Sequence, residues 1–448
     1  MDDAAKLAET VRALLEAGRL ERLAQTLEEA HGADIAAALG GLAVPEQVTV
    51  LRLLSHGQAG TVLSELDDQL RLELVRALDE VEISGILDRM QPDDAAEVLG
   101  ELPEDEVEKV LDLMKEDKSE EIQELLEYGE KTAGRIMSPD VLAVQETASV
   151  AQAIEQIRHS PAAESAHLLY VVDHHEHLVG AFPLRRLITA DPVTPVRVLC
   201  EGEVMSVTPE TDQEEVARLV AKYDMLSLAV VDHDHRLRGV ITVDDVIDVI
   251  REEATEDIQR LGGAGGDETV LDPAAAVFPK RLLWRLINLG TAVLAASVIG
   301  LFEDSIQALA ILAIFMPVVA SMGGISTTQT ATVVVRGLAL GDMASAHLWR
   351  VLKKEVALGL TTGLATAVIM GLIAYLWKGQ LLLSVIVGTA LLINMLVAAA
   401  VGVVTPLALK AFRVDPAIAS SVIITTFTDV CGFFSFLGLA TLLMKFLL

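Results

Sequence analysis

The chain has 448 residues, 52% of them hydrophobic, with a mean hydropathy of +0.45 and a formal net charge of −31; it exceeds one ordinary domain and calls for membrane-embedded segments. The charge is uneven: from Pro273 onward there are 11 Lys+Arg against 6 Asp+Glu, leaving 23 against 59 in residues 1–272, a net of −36. So acidic a region repels nucleic acid and attracts cations, and with only Cys200 and Cys431 a disulfide framework is excluded.

The acidity has two readings: cation sensing through relief of self-repulsion, or a merely soluble surface. The start, Met-Asp-Asp-Ala-Ala, lacks the basic and apolar regions of a signal peptide, so the first 270 residues are expected in the cytoplasm. Residues 4–128 repeat apolar positions at spacings of three and four (Leu7, Val11, Leu14, Leu15; Val107, Val110, Leu111, Met114). Pro45, Pro92 and Pro103 mark helix starts, each followed by first-turn acids, which predicts a superhelical array of short helices. Asp93, Asp94 and Glu97 are either helix-end acids or metal ligands.

Between Gly134 and Gly262 an internal repeat appears: Leu169-Tyr170-Val171-Val172-Asp173-His174 through Gly180 matches Ala229-Val230-Val231-Asp232-His233 through Gly239, offset by 59 residues. Each copy reads helix, strand, polar turn, strand, closing helix. The pair resembles tandem CBS domains. The second copy carries Gly239-Val240-Ile241-Thr242-Val243-Asp244-Asp245; the resemblance implies that Thr242 and Asp245 hold the ribose and phosphates of ATP or another adenine nucleotide, although many such pairs bind nothing. The first copy has Pro183 and Arg186 at those places, so at most one nucleotide site is expected. The turns with His174, His175, His177, His233 and His235 read as solvated hairpin tips rather than metal sites.

A strongly acidic helix is predicted over Val243 to Leu261, then a glycine joint, Gly262-Gly263-Ala264-Gly265-Gly266. Five apolar stretches follow: Leu286 to Phe302, Ile306 to Val335, Val356 to Trp377, Leu381 to Leu409 and Ile418 to Met444. Each is long enough to span a bilayer. Loop charges (Lys280, Arg281, Arg285, Arg336, Arg350, Lys353, Lys354, Lys410, Arg413) put the N-terminal half inside and the C-terminus outside. The second stretch, with Pro317 and Gly323-Gly324 before Ser326, Thr327, Thr328, Gln329 and Thr330, is expected to be broken at membrane depth, with close helix packing at the glycine pair as the alternative. The fourth carries Asn394. The fifth carries Asp429 near its middle, a carboxylate costing roughly 2.5–3.5 kcal/mol there unless it faces protein, water or a cation. It reads as an ion site, with a protonated Asp bonded through Thr425, Thr426 or Thr428 as the alternative.

The whole order resembles the MgtE family of magnesium channels, through Glu253-Ala254-Thr255-Glu256-Asp257-Ile258, Pro317 with Gly323-Gly324 and Gln329, Val414-Asp415-Pro416-Ala417, and Thr428-Asp429-Val430 with Gly432. The organisation expected is an all-α N domain (1–130), an α/β CBS pair (131–198 and 199–260), an acidic connecting helix and joint (244–280) and a five-helix membrane domain (281–448). The resemblance implies a homodimer in the bacterial inner membrane, with the second and fifth spans lining a pore on the dimer axis. Asp429 would bind hydrated Mg2+ there, in company with Ser421, Thr425, Thr428, Gly324, Ile325 and Thr328. It also implies closure by intracellular Mg2+ at Asp212, Glu214, Asp224, Asp245, Asp248, Glu253, Glu256, Asp257 and Asp415, so that Asp245 is claimed by both metal and nucleotide.

The family's second-span motif reads Gly-Gly-Asn-x-Gly-Asn-Gln, whereas here it is Gly323-Gly324-Ile325-Ser326-Thr327-Thr328-Gln329; the family's Asn-Pro ahead of the aspartate is Ser421-Val422. Looser selection among divalent ions is therefore expected. A transporter for another solute, such as cobalt, manganese, calcium or an anion, and a non-conducting membrane-tethered ion or nucleotide sensor are the alternatives. No phosphate loop or paired nucleophile suggests an enzyme.

Overall fold

The computed structural model describes residues 2–447 except 164–165, 201, 203, 267, 271, 340–342 and 344–347; the side chains of 2–4, 161, 418–421 and 447, Ser421 among them, lie outside the described set. Two compact units divide at Arg251/Glu252.

The first unit begins with ten helices: α1 (Asp2–Glu16), α2 (Leu20–Glu28), α3 (Gly32–Leu39), α4 (Val44–Leu53), α5 (His56–Ser64), α6 (Asp68–Ala77), α7 (Glu80–Leu87), α8 (Pro92–Gly100), α9 (Glu104–Leu113) and α10 (Glu116–Glu127). Odd-numbered helices pack on the next odd one and even on even, α2 on α4, α4 on α6 and α8 on α10, as stacked short helices do. Proline stands in the first two positions of α4 and α8 and caps α9, where its missing N–H costs nothing. Leu23, Leu27, Leu39, Val50, Val62 and Leu74 are sealed inside, each contributing ~1.5–3 kcal/mol.

The repeat then builds two sheets of one design. β1 (Ala143–Gln145) runs parallel to β2 (Leu168–Val172), which pairs antiparallel with β3 (Leu178–Pro183); β4 (Ser206–Val207), β5 (Ser227–Val231) and β6 (Leu237–Thr242) repeat the pattern. The 59-residue offset carries through to register: Tyr170 faces Ala181 as Ala229 faces Val240, with the same irregularity at Val171/Val172 and Val230/Val231. Helices α11 (Val150–Arg158), α12 (Arg185–Thr189) and α13 (Gln213–Tyr223) complete the copies, and α14 (Val243–Leu261) closes the second. The copies are tied by Tyr170 Oη to Ser227 Oγ at 3.1 Å and by the hairpin tips, where Leu178 N donates to the His235 carbonyl and Leu237 N to that of Glu176. Glu176 and His235 take positive φ there, so the histidine turns are hairpin tips.

The second unit holds α15 (Ala274–Gly300), α16 (Glu303–Ala308), α17 (Leu312–Ala339), α18 (Leu348–Lys378), α19 (Leu381–Ala411), α20 (Pro416–Leu442) and α21 (Met444–Leu447). Five of these are long and apolar enough to cross a membrane: α15, α17, α18, α19 and α20. α19 is the central one, packed on α17, α18 and α20, with Leu383, Val387, Ala390, Leu391 and Val403 buried along it.

Two expectations are corrected. The stretch Ile306 to Val335 is two helices, α16 and α17, and the first spanning helix starts at Ala274 rather than Leu286. The break expected at Gly323-Gly324 is absent: α17 runs unbroken through it, the hydroxyls of Thr327 and Thr328 folding back onto the carbonyls of Gly323 and Gly324 at 2.8 and 3.0 Å. The glycines serve close packing instead.

Candidate functional site

On α17, Ser321, Ile325, Thr328, Gln329 and Thr332 are exposed along one face and, with Gly324, line a groove of about 740 Å³. Val333 lines it too, so polar Ser321, Thr328, Gln329 and Thr332 alternate there with apolar Ile325 and Val333. α17 packs on α20, and the two touch where a Cβ at Gly324 would stand 3.9 Å from Thr425 Cγ2. One turn further along α20 is Asp429, half-buried. Thr425 and Thr426 hydroxyls donate to the Val422 carbonyl at 3.2 and 2.6 Å. Thr428, expected beside the cation, is fully buried and bonds its own helix at Ile424 and Thr425, so in one chain it faces away from the groove.

Two membrane residues matter more than their sequence signal suggested. Asn394 of α19 is fully buried between Gly323 of α17 and Gly432 of α20, where any Cβ would collide with its carboxamide. Glu355, next to the flanking Lys353 and Lys354, is buried in α18, accepts from Thr330 Oγ1 at 3.1 Å and pairs with Lys354 at 3.0 Å. Only the packing of α17 on its neighbours reveals it; the sole sequence cue is an acid beside two lysines.

At the end of α14, Arg260 pairs with buried Glu256 and with Asp415, which caps α20 by accepting from Ala417 N at 2.7 Å. Asp257 is pushed up to about 6, first by burial and then by the charges of Asp415 and Glu253, against the relief given by Arg336 of α17. Glu253, Glu256, Asp257 and Asp415, all predicted sensing positions, are thus brought to one place. An arginine already bridges two of them.

A second acidic cluster lies in the first unit, where the first turns of α8 and α14 meet. Asp93 is held well above the usual carboxylate range by burial and then by Asp245 and Asp94; its Oδ1 has no hydrogen-bond partner among the described residues. Asp94 is pushed up to about 7 by burial, Asp245 and Glu97. Asp245 reaches about 6 through burial, offset by its bonds from Thr242, with Asp244 and Asp248 adding to the rise. Glu97 is paired with buried Arg71 at 2.7 Å, alongside Asp68 and Glu101. Asp93, Asp94 and Asp245 raise one another's pKa, a repulsion that a divalent ion between them would relieve.

Asp212 and Asp224, by contrast, cap opposite ends of α13, ~18 Å apart at 1.5 Å per residue, so with Glu214 they form no common site within one chain. Among the described residues, no set of three or more His, Cys, Asp or Glu is arranged for a metal ion in a single chain. Thr242 and Asp245, the nucleotide pair, are locked together: Asp245 Oδ2 accepts from Thr242 N at 3.2 Å and Oγ1 at 2.5 Å. The cleft beside Thr242 measures about 20 Å³, room for a water and not for a nucleoside.

Five apolar helices, a half-buried carboxylate within the last of them and a soluble half rich in clustered acids define a multi-pass membrane protein of the cation-transport class. Family models agree: "Divalent cation transporter" matches residues 316–439, "MgtE intracellular N domain" 30–131 and "CBS domain" 133–192 and 196–252. Magnesium transporter MgtE of Thermus thermophilus is 35% identical over 98% of this chain and 99% of its own; that of Bacillus subtilis is 31% identical over 96% and 95%. The chain belongs to the MgtE family. Among solved structures, the cytosolic domain of the Mg2+ channel MgtE in complex with ATP covers 54% of this chain and 99% of its own at 37% identity, TM-score 0.52. The soluble part of a magnesium transporter covers 56% and 100% at 27% identity, also with TM-score 0.52.

Proposed function

We propose that this chain is a magnesium channel of the inner membrane that works as a homodimer, passing the ion between two copies of the α17–α20 seam. The observation that carries the reading is half-buried Asp429 one turn from the Gly324–Thr425 contact, beside a partly polar stripe that one chain leaves uncovered. Magnesium dehydrates reluctantly and is held through its waters by one or two carboxylates, so paired Asp429 side chains attract it while the exposed Thr328, Gln329 and Ser321 groups hydrogen-bond its hydration shell. The basic loops set the N-terminal half in the cytoplasm and the C-terminus outside.

Feedback operates at the two acidic clusters. When cytoplasmic magnesium is scarce, Asp93, Asp94 and Asp245 repel one another, and so do Asp257, Asp415 and Glu253. A divalent ion relieves that repulsion and favours the packed arrangement, in which the end of α14 is fastened to the start of α20. Asp245 is assigned to the cation, because a phosphate there would meet four neighbouring carboxylates. An adenine nucleotide is the second reading, favoured by the ATP held in the 37%-identical relative; it requires the Thr242–Asp245 pair to part and the adjoining cleft to open. Ion uptake into liposomes holding the pure protein tests the function: magnesium enters, potassium and chloride do not, and magnesium on the cytoplasmic side slows entry. Entry of chloride, or no flux of any ion, contradicts it.

A further inference from the structure

Asn394, near the middle of α19, donates through Nδ2 to the Val319 carbonyl of α17 at 2.8 Å, while its Oδ1 is buried without a hydrogen-bond partner among the described residues. A Cβ at Gly432 of α20 would stand 2.8 Å from Nδ2 and 3.1 Å from Cγ, and one at Gly323 of α17 would strike the same amide nitrogen. The carboxamide is therefore wedged between both helices that border Asp429, and glycine at each position leaves the room for it.

Packing does not account for this choice. Leucine has nearly the same shape and no polar atom, whereas a buried carbonyl without a donor is costly. The slot is also at the right place. Gly432 follows Asp429 by three residues, ~4.5 Å along the helix axis, and Gly323 adjoins Gly324, which meets Thr425.

We propose that Asn394 is a positioning residue that sets cation selectivity: its N–H fixes the depth and spacing of α17, and its Oδ1 is a rigid acceptor for water behind Asp429. The fourth span thereby supplies a carboxamide that Gly323-Gly324-Ile325-Ser326-Thr327-Thr328-Gln329 does not carry. The proposal rests on the pore reading of Asp429.

The test is competitive uptake of magnesium, calcium and manganese into liposomes by the full-length protein. Asn394→Leu should fold with unchanged or raised thermal stability and keep magnesium uptake within about threefold of wild type. Its magnesium-over-calcium preference should fall by about tenfold, equivalent to ~1.4 kcal/mol. Gly432→Ala, which expels the carboxamide, should give the same loss. Wild-type preference in Asn394→Leu overturns the proposal. Failure of both Asn394→Leu and Asn394→Ala to fold also overturns it, since the residue is then structural. Full flux in Asp429→Ala would instead remove the pore reading, which keeps the two failures distinguishable.

Discussion

Asp94→Asn removes one charge from the cluster where α8 meets α14 while keeping the side-chain shape. Burial, Asp245 and Glu97 raise the Asp94 carboxyl from 3.8 to about 7, roughly three pH units. Each unit corresponds to ~1.4 kcal/mol, so the ionised form costs up to ~4 kcal/mol, reduced to ~2–4 by the solvent that still reaches it. The sign follows from linkage. A carboxyl raised in the folded state binds protons more tightly there than in the unfolded chain, so its penalty is absent below about pH 4 and grows as pH rises toward about 7.

Without divalent ions the wild-type soluble half should therefore lose stability between about pH 4 and pH 7, and Asp94→Asn should flatten that loss. Near pH 7.5 the variant should unfold roughly 4–8 °C higher per ~2 kcal/mol regained. Magnesium should reverse the order, stabilising wild type more than the variant, because binding to the folded state adds stability only where the ligands remain. Thermal unfolding of the full-length protein with chelator or with millimolar magnesium reads both effects. A variant less stable than wild type in chelator, or equally stabilised by magnesium, would refute the reasoning.

Arg260→Gln breaks the pairs to Glu256 and Asp415, so flux at low magnesium should rise several-fold and closure should depend more steeply on added magnesium; unchanged flux–magnesium curves would show that the bridge holds nothing. Ile325 and Thr328 are both exposed on the α17 stripe, and Ile325→Asn with Thr328→Asn should narrow permeation toward magnesium, measured as permeability ratios against calcium and manganese; wild-type ratios in the double variant would remove them from selectivity. Neutralising Glu253, Glu256 and Asp257 together should leave the channel conducting at high magnesium, and normal closure would move sensing elsewhere.

The sequence told most where a pattern is local. Repetition at 59 residues announced two sheets in equal register, and the acidic helix could be bounded at Val243 and Leu261 from its residues. Proline starts marked α4, α8 and α9 for the same reason. What escaped depends on packing across long separations. Arg260 and Asp415 lie 155 residues apart, Thr330 and Glu355 sit on different helices, and nothing local shows either pairing. Gly323-Gly324 reads two ways in sequence because glycine both weakens helices and admits neighbours; Asn394, which fills the space at Gly323, decides for packing. The resemblance puts Thr428 with Asp429 at the ion, yet consecutive helical residues point about 100° apart, and Thr428 turns inward.

The central claim is that Asp429 carries the permeating ion, and magnesium uptake by Asp429→Ala and Asp429→Asn in liposomes tests it most directly. Both variants should fold and assemble as wild type does, with uptake abolished in Asp429→Ala and strongly reduced in Asp429→Asn, whose amide keeps the shape without the charge. Wild-type uptake by folded Asp429→Ala would contradict the account.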